Sequence, residues 1–347
     1  MNAGIAYALL GAALFGASTP IAKLLVGEVG PVMLAGLLYA GSGLGLGLWL
    51  ALRRWVRPST VRSKLAGGDY KWLAGAVISG GVVGPVLLMF ALAAASASAV
   101  SLLLNLEGVF TALLAWFVFR ENFDRRLVLG MCLIVCGGAL LSWPSGGLST
   151  SLPALAVAGA CLCWGLDNNL TRKISAGDSV QIAAIKGLAA GGVNLCVSAA
   201  LGAARPGLES ILAAAAVGLL GYGVSLALFV VALRHLGTAR TGAYFATAPF
   251  IGAAASFALL GEAPDSLFWL ASVLMAAGVA LHLAERHRHE HRHEALTHTH
   301  SHTHDEHHLH RHDFAWDGAE PHSHPHDHVP LTHSHEHYPD IHHRHGH

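Results

Sequence analysis

A duplicated arrangement of apolar segments, each near the length needed to cross a membrane, most constrains how this chain can fold. Residues 103–121 (LLNLEGVFTALLAWFVFRE) align with residues 244–262 (YFATAPFIGAAASFALLGE), and residues 90–100 align with residues 231–241. Each copy contains about five such segments, so the second copy enters the bilayer from the opposite side. Two inverted copies are an architecture of secondary transporters, and the duplication therefore predicts transport.

The composition supports a membrane protein. Hydrophobic residues make up 53% of the chain and charged residues 12%, whereas a soluble domain has about 25% charged residues. A transmembrane helix needs about 20 mostly apolar residues, and the chain supplies such runs repeatedly. Ten spans are expected near residues 4–26, 31–52, 72–94, 97–119, 127–143, 153–171, 179–201, 211–233, 239–260 and 267–284.

These spans predict an all-α integral membrane protein with ten transmembrane helices arranged as two inverted five-helix repeats. The first repeat would occupy residues 1–146 and the second residues 147–284, followed by a disordered His-rich C-terminal tail at 285–347. Lys and Arg concentrate in the loops of one side, while the other side has little beyond Lys23 and Arg205. Because cytoplasmic loops collect basic residues, both termini are expected in the cytoplasm.

Several stretches resemble the EamA family of the drug/metabolite transporter superfamily. They are LFGASTPIAKLL in the first span, SASAVSLLLNLEGVFTALLAWFVFREN in the fourth, and ATAPFIGAAASFALLGEAP in the second copy. Gly108 stands where the family often has proline, and the second copy keeps Pro249. The resemblance covers residues 3–284 and implies a ten-helix inner-membrane carrier without ATP hydrolysis. Family substrates include amino acids, sugars and nucleotides, so the resemblance selects no substrate.

Polar side chains inside the spans are candidates for a substrate or coupling-ion pathway, since an unpaired charge in lipid is costly. Asp167 and Lys186 lie at similar depths on consecutive spans and could pair, either permanently or until substrate or a proton arrives. Glu107, in the middle of the fourth span, is the better candidate for proton coupling, or alternatively a protonated glutamate bonded to a neighbouring helix. The full candidate set is Asn105, Glu107, Asp167, Asn168, Asn169, Lys186 and Lys23.

Residues near the span ends show the duplication again. Alignment of Phe15-Gly16 with Trp164-Gly165 makes Lys23 equivalent to Arg172, and Glu121 is equivalent to Glu262. Lys23 either extends toward the lipid headgroups or gates an anionic substrate. The two glutamates terminate equivalent helices on opposite faces, which suggests a shared helix-end or loop contact rather than substrate binding.

The composition of the chain changes at residue 285, where apolar spans give way to a His-rich polar tail. Neutral imidazole is a favoured ligand for Zn, Ni, Co and Cu, and repeated His-x-His pairs predict divalent-metal binding or, alternatively, pH sensing around the usual His pKa of about 6.5. An incidental low-complexity extension is a further reading. The candidate ligands are His287, His289, His291, His293, His298, His300, His302, His304, His322, His324, His326, His328, His333, His335 and His337.

Four functions are therefore compared. The leading one is a secondary transporter for a small metabolite or drug-like solute, and the second is a Ni, Co or Zn transporter whose tail collects or senses metal. A membrane enzyme is disfavoured because no HExxH, GxSxG or nucleotide-binding motif occurs. A metal buffer that transports nothing is the fourth. Expected partners are the lipid bilayer and a small solute, without nucleic acid or a required cofactor, and a homodimer is an open alternative.

Overall fold

The structure is a computed structural model. It describes residues 3–56, 68–118, 125–142, 152–172, 174 and 178–283. In the tail it describes residues 287–293, 296–302, 322–328 and 331–337. The helices of the first half are α1 (Ala3–Val26), α2 (Pro31–Val56), α3 (Asp69–Ala76), α4 (Gly84–Ala94), α5 (Ala97–Leu103), α6 (Leu106–Phe117) and α7 (Arg125–Leu141). Those of the second half are α8 (Leu152–Arg172), α9 (Ser179–Ala200), α10 (Leu208–Gly218), α11 (Ser225–Phe245), α12 (Ala248–Leu260) and α13 (Ser266–Leu283).

Between residues 3 and 283 the described backbone is helical apart from short connections, which confirms the predicted all-helical membrane architecture. Within the described residues, six stretches are long and apolar enough to cross a bilayer: Ala3–Val26, Pro31–Arg53, Asp69–Ala94, Ala97–Phe117, Val180–Ala200 and Leu208–Ala232. Ala248–Leu260 and Ser266–Leu281 are shorter apolar helices. Helices α7 and α8 cover two further predicted spans, and the total of ten crossings stays a prediction.

Wide π-helical turns interrupt the same helix in both copies. The alignment of Leu103 with Tyr244 separates equivalent residues by 141 positions, so Val77 and Val83 correspond to Gly218 and Val224. The structure has π-helical segments at Val77–Val83, between α3 and α4, and at Leu219–Val224, between α10 and α11. The duplication seen in the sequence is therefore also a duplication of an uncommon backbone feature.

A second interruption also recurs. The fourth span breaks at residues 104–105, between α5 and α6, and the equivalent span breaks at residues 246–247, between α11 and α12. Discontinuous helices in corresponding positions of two inverted halves are a pointer to a transport site. The breaks lie beside Glu107 in one copy and Pro249 in the other.

Glycines allow the helices to approach closely at three crossings. A Cβ atom on Gly187 of α9 would lie 2.7 Å from the Cα of Gly43 in α2. Gly16 of α1 lies against Gly252 of α12, and the equivalent Gly165 of α8 lies against Thr111 of α6. The α1–α12 and α8–α6 crossings are thus the same contact in the two copies.

The largest buried apolar cluster lies at one end of the bundle, where α1, α4 and α12 end and α2, α5 and α10 begin; we call this the Lys23 end. Its members include Ala22, Leu34, Leu92 and Ala97, each with no exposed surface. Among the described residues toward the opposite end, the buried clusters are small, such as the one formed by Leu73, Ile174 and Ile182. The described helices therefore pack more completely at the Lys23 end.

The described parts of the tail are four extended segments, which differs from the disorder predicted from composition. They are β1 (His287–His293), β2 (Leu296–His302), β3 (His322–His328) and β4 (Leu331–His337). β1 pairs antiparallel with β4 and β2 with β3, which places histidine opposite histidine along each ladder. The His-x-His alternation has the two-residue period of a strand, and this is the physical reason that an extended pairing fits it. His304 lies outside the described residues.

The close α2–α9 crossing yields a stability prediction. We expect Gly187→Leu to lower the unfolding free energy by about 1–3 kcal/mol, the usual cost of overpacking, because the new side chain meets the backbone of α2. Gly192→Leu is the matched control, since Gly192 is on the same helix and has no neighbour within 4 Å of a built Cβ atom. Thermal unfolding in detergent, followed by tryptophan fluorescence, measures the difference. Equal midpoints for the two variants would contradict the prediction.

Candidate functional site in the centre of the bundle

The ion pair expected between consecutive spans is present. The Nζ atom of Lys186 in α9 donates to both carboxylate oxygens of Asp167 in α8, at 2.5 and 2.7 Å. Thr171, one turn after Asp167, donates to the same carboxylate at 2.8 Å and lies 3.3 Å from the lysine nitrogen. The side chains of Lys186 and Asp167 are 17% and 10% exposed, respectively. The ion pair is therefore mostly shielded from solvent, and the Thr171 hydroxyl group contacts both partners.

The two halves of the molecule differ at this point in one informative way. Gly80 of the first π-helical segment lies directly against the side chain of Asp167, leaving no room for a Cβ atom. In the other copy, the equivalent Gly221 lies directly against Ser18 of α1. The alignment of Phe15 with Trp164 also pairs Ser18 with Asp167. The equivalent glycine therefore packs against a carboxylate in one half and against a hydroxyl-bearing side chain in the other.

Side chains complete the backbone hydrogen bonds that the π-helical segment frees. The hydroxyl of Tyr39 and the indole nitrogen of Trp164 both donate to the carbonyl of Gly80, at 2.8 and 2.9 Å. The amide of Asn194 donates to the carbonyl of Gly81 at 3.3 Å. Residues from α2, α8 and α9 thus meet at one π-helical segment, and Gly80 of that segment packs against Asp167.

A second polar group forms where α6 faces α8. The amide of Asn168 donates to the Oε1 atom of Glu107 at 2.9 Å and to the hydroxyl of Thr111 at 3.2 Å. Glu107 lies in the first turn of α6, immediately after the helix break. Two adjacent residues of α8 therefore belong to the two polar groups. Asp167 is itself one candidate carboxylate, and Asn168 donates a hydrogen bond to the other, Glu107.

The remaining two asparagines of the candidate set support the backbone. Asn169 is 4% exposed and donates to the carbonyls of Thr111 and Gly165 at 3.1 and 2.8 Å, which ties α8 to α6. Asn105 is 7% exposed and donates to the carbonyl of Leu102 at the break between α5 and α6. Their contacts position Glu107 and Asp167.

The inward face of α8 opens at Asn168. Cys161 and Trp164 are 0% and 8% exposed, and Asn168 follows them on the same face, at a spacing of one to two turns. Asn168 is nevertheless exposed. Asn168 is thus the accessible member of this polar group, next to the buried Asp167 and Asn169.

Lys23 lies apart from these groups. Its Nζ atom contacts α4 at Leu92, whereas Asp167 contacts the same continuous helix at Gly80. Twelve helical residues separate the two points, about 18 Å at 1.5 Å per residue. The structure thus brings six of the seven candidate pathway residues to the centre and places Lys23 at the end of the bundle.

Sequence reasoning missed several participants. Thr171 and Thr111 each follow a candidate carboxylate by four residues, which is a helical neighbour spacing and could have revealed them. Tyr39 and the role of Trp164 had no such signal, because both serve a carbonyl freed by a π-helical turn. Among the described residues, no group of three or more His, Cys, Asp or Glu side chains could hold a metal ion, so Cys161 and Cys163 form no such site with Asp167.

The chain is similar to two transport-related proteins. An uncharacterized transporter from Methanothermobacter thermautotrophicus is 29% identical over 280 residues, covering 76% of this chain and 81% of that protein. A probable 4-amino-4-deoxy-L-arabinose-phosphoundecaprenol flippase subunit from Pseudomonas fluorescens is 37% identical over 86 residues, covering 25% of this chain and 72% of that protein.

A crystal structure with 20% sequence identity superposes with a TM-score of 0.58 and covers 80% of this chain and 95% of its own, which establishes a shared fold. The model of the EamA-like transporter family matches residues 2–143 and 151–284, one match in each half. This chain belongs to the EamA-like transporter family.

Proposed function

We propose that this protein is a secondary transporter of a small metabolite or drug-like solute, which works by alternating access and is coupled to an ion. The observation that carries the proposal is the Asp167–Lys186 pair with Thr171, placed against a π-helical turn where α8, α9 and the first repeat meet. Membership of a transporter family supports this role over an enzymatic one.

The chemistry of the pair suits a reversible binding site. An ammonium and a carboxylate neutralise each other when the site is empty, which makes their burial tolerable. A proton or a cationic substrate group competes with Lys186 for Asp167, and an anionic group competes with Asp167 for Lys186. Either event leaves one partner free to move, which links binding to a change of access.

Glu107 is the proposed proton carrier. It is a half-buried carboxyl group beside a helix break, and it accepts a hydrogen bond from the Asn168 amide, which also donates to the Thr111 hydroxyl. Such a group can take up a proton and exchange hydrogen-bond roles without breaking the helix contact. The membrane is proposed to be a bacterial-type inner membrane with both termini in the cytoplasm, so the Lys23 end faces outward.

The ion pair yields the first test of this function. We expect Asp167→Asn to reduce gradient-driven flux of a metabolite panel in proteoliposomes to the level of empty liposomes, because the amide cannot hold Lys186 or a competing cation. Asp178→Asn is the matched control: Asp178 accepts from the amides of Val180 and Gln181 at the start of α9, and asparagine caps helices equally well. Wild-type flux through a folded Asp167→Asn protein would contradict the proposal.

A charge-neutral double variant separates function from mere helix fastening. Asp167→Asn combined with Lys186→Met removes both charges and leaves no unpaired ion. If the pair only fastens helices, this variant regains both stability and flux. If the pair carries transport, the protein unfolds near the wild-type temperature and still fails to transport.

Proton coupling by Glu107 is tested through pH dependence. Wild-type flux should change between pH 5.5 and 8, and Glu107→Gln should make the flux nearly independent of pH in that range because no proton is gained or lost. Glu209→Gln, in the exposed first turn of α10, serves as the control. Flat wild-type flux across the range would rule out this role for Glu107.

We also propose that the tail binds divalent Zn, Ni, Co or Cu. The repeated His-x-His pairs support this, and the antiparallel pairing places His289 opposite His335 and His300 opposite His324. No contact among the described residues favours metal as the transported solute. The metal would therefore act at the tail alone, as a buffer or a signal.

Deletion of residues 287–347 tests the tail directly. We expect the purified truncated protein to lose most of the Zn²⁺ and Ni²⁺ bound by the full-length protein in equilibrium dialysis, while metabolite flux in proteoliposomes is unchanged. Undiminished metal binding after deletion would place the metal site in the membrane part and revive a metal-transport function.

A further inference from the structure

A chain of aromatic rings begins beside the ion pair and runs into the second repeat. The ring of Tyr39 lies 5.6 Å from that of Tyr222, measured between centroids, and Tyr222 lies 5.8 Å from Phe15. Phe15 lies 5.7 Å from Phe245, which lies 4.8 Å from Phe229. All five side chains are half-buried, so each keeps some accessible surface.

Tyr39 places the first ring of this chain next to the charges. Its hydroxyl donates to the carbonyl of Gly80, the residue that packs against Asp167. A Cβ atom built on the glycine that follows would lie 3.7 Å from the Tyr39 ring and 2.6 Å from Ala190, which comes one helical turn after Lys186. The aromatic chain and the ion pair therefore meet at the same π-helical segment.

The two repeats supply different chemistry to this place. The second repeat contributes three of the rings, and at the equivalent positions, 141 residues earlier, the first repeat has Gly81, Leu88 and Leu104. The rings are thus a departure from the duplicated pattern, as the carboxylate of Asp167 is. A ligand complementary to the whole centre has a charged end and an aromatic end.

The ion pair restricts the charge of that ligand. Lys186 and Asp167 are mostly shielded from solvent, and each is the counter-charge of the other. A singly charged ligand pairs with one of them and leaves the other buried without a partner, which is costly. A ligand with both charges separates the pair and still leaves each residue paired. Glu107 adds no net charge when it carries a proton, so the pair decides which charge pattern fits.

We propose that the substrate is a small zwitterion with an aromatic group, whose ammonium binds Asp167, whose carboxylate binds Lys186 and whose ring packs among Tyr39, Tyr222 and Phe15. This inference rests on the proposed transport function and adds the chemical class of the solute. Thr171 donates to Asp167 and lies 3.3 Å from the Nζ atom of Lys186, so its hydroxyl is placed to donate to the ligand carboxylate. Contacts between aromatic rings add to the gain from burial alone.

A panel matched in shape and different in charge tests the charged end. L-phenylalanine is the zwitterion, phenethylamine the cation and 3-phenylpropionate the anion. Each is titrated against the full-length protein in detergent, and the rise in unfolding midpoint gives its dissociation constant. L-phenylalanine should bind at least about tenfold more tightly than the others, the factor that corresponds to one charge-assisted hydrogen bond. Equal or tighter binding of a singly charged compound, or no shift with L-phenylalanine, overturns the proposal.

A charge-neutral variant assigns this discrimination to the ion pair. Asp167→Asn combined with Lys186→Met leaves neither charge to be matched, so the three compounds should bind with nearly equal affinity. A variant that keeps the tenfold preference for L-phenylalanine would locate the recognition of charge elsewhere and overturn the proposal.

The aromatic end is tested with a ligand that lacks the ring. L-alanine has the charges of L-phenylalanine, and the protein should bind it at least about tenfold more weakly because ring contacts and burial are lost. Phe15→Leu should reduce this ratio severalfold and keep the preference over phenethylamine. Phe257→Leu is the matched control, since Phe257 is also half-buried but stacks on Phe268, outside the chain of rings. An unchanged ratio in Phe15→Leu, or an equal change in Phe257→Leu, overturns the proposal. If Phe15→Leu does not fold, Tyr222→Leu replaces it with the same expected result.

Failure of this inference and failure of the proposed function give different results, because the panel measures binding and needs no gradient. Loss of flux in Asp167→Asn together with a preference for phenethylamine would refute the zwitterion and keep the pair as the transport site. Normal flux in Asp167→Asn together with a preference for L-phenylalanine that the charge-neutral variant loses would refute the transport role and keep the zwitterion site.

Discussion

The absence of water inside a bilayer is the constraint on which this structure depends. Every backbone amide and carbonyl there needs an internal partner, so each interruption of a helix must be completed by side chains. The helix interruptions meet this condition at Gly80, which receives two donors, and at the α4–α5 junction, where Lys23 donates to the end of α4 and Glu262 accepts from the start of α5. Irregular backbone is thus found where polar and charged side chains can complete its hydrogen bonds.

The two repeats differ in charge at the centre of the bundle. Asp167 and Ser18 occupy equivalent positions against equivalent glycines, yet only Asp167 can pair with Lys186. The duplicated framework supplies the same close backbone contact in both halves, and the divergence of this one position supplies the carboxylate that pairs with Lys186. One framework can therefore carry different polar groups at the same point.

Much of the fold follows from the sequence because apolar length and duplication are strong signals in lipid. The alignment of residues 103–121 with 244–262 revealed the duplication, and the depths of Asp167 and Lys186 indicated their pairing, whereas the helix breaks at 104–105 and 246–247 were not predicted. The roles of Tyr39 and Trp164 could not be derived in this way, since both depend on a carbonyl, that of Gly80, left without a backbone partner by a π-helical turn in another helix. The shared helix-end contact suggested by Glu121 and Glu262 is confirmed for Glu262.

The matched π-helical segments also bear on how the two repeats arose. A wide turn arises when one residue is inserted into a helix, and here the insertions fall at the same aligned positions, Val77–Val83 and Leu219–Val224. Two independent insertions would have had to strike the same register in both halves, whereas one ancestral insertion needs only to be copied. The shared register is what duplication of one repeat that already contained the wide turn would produce, with the two copies now differing at Ser18 and Asp167.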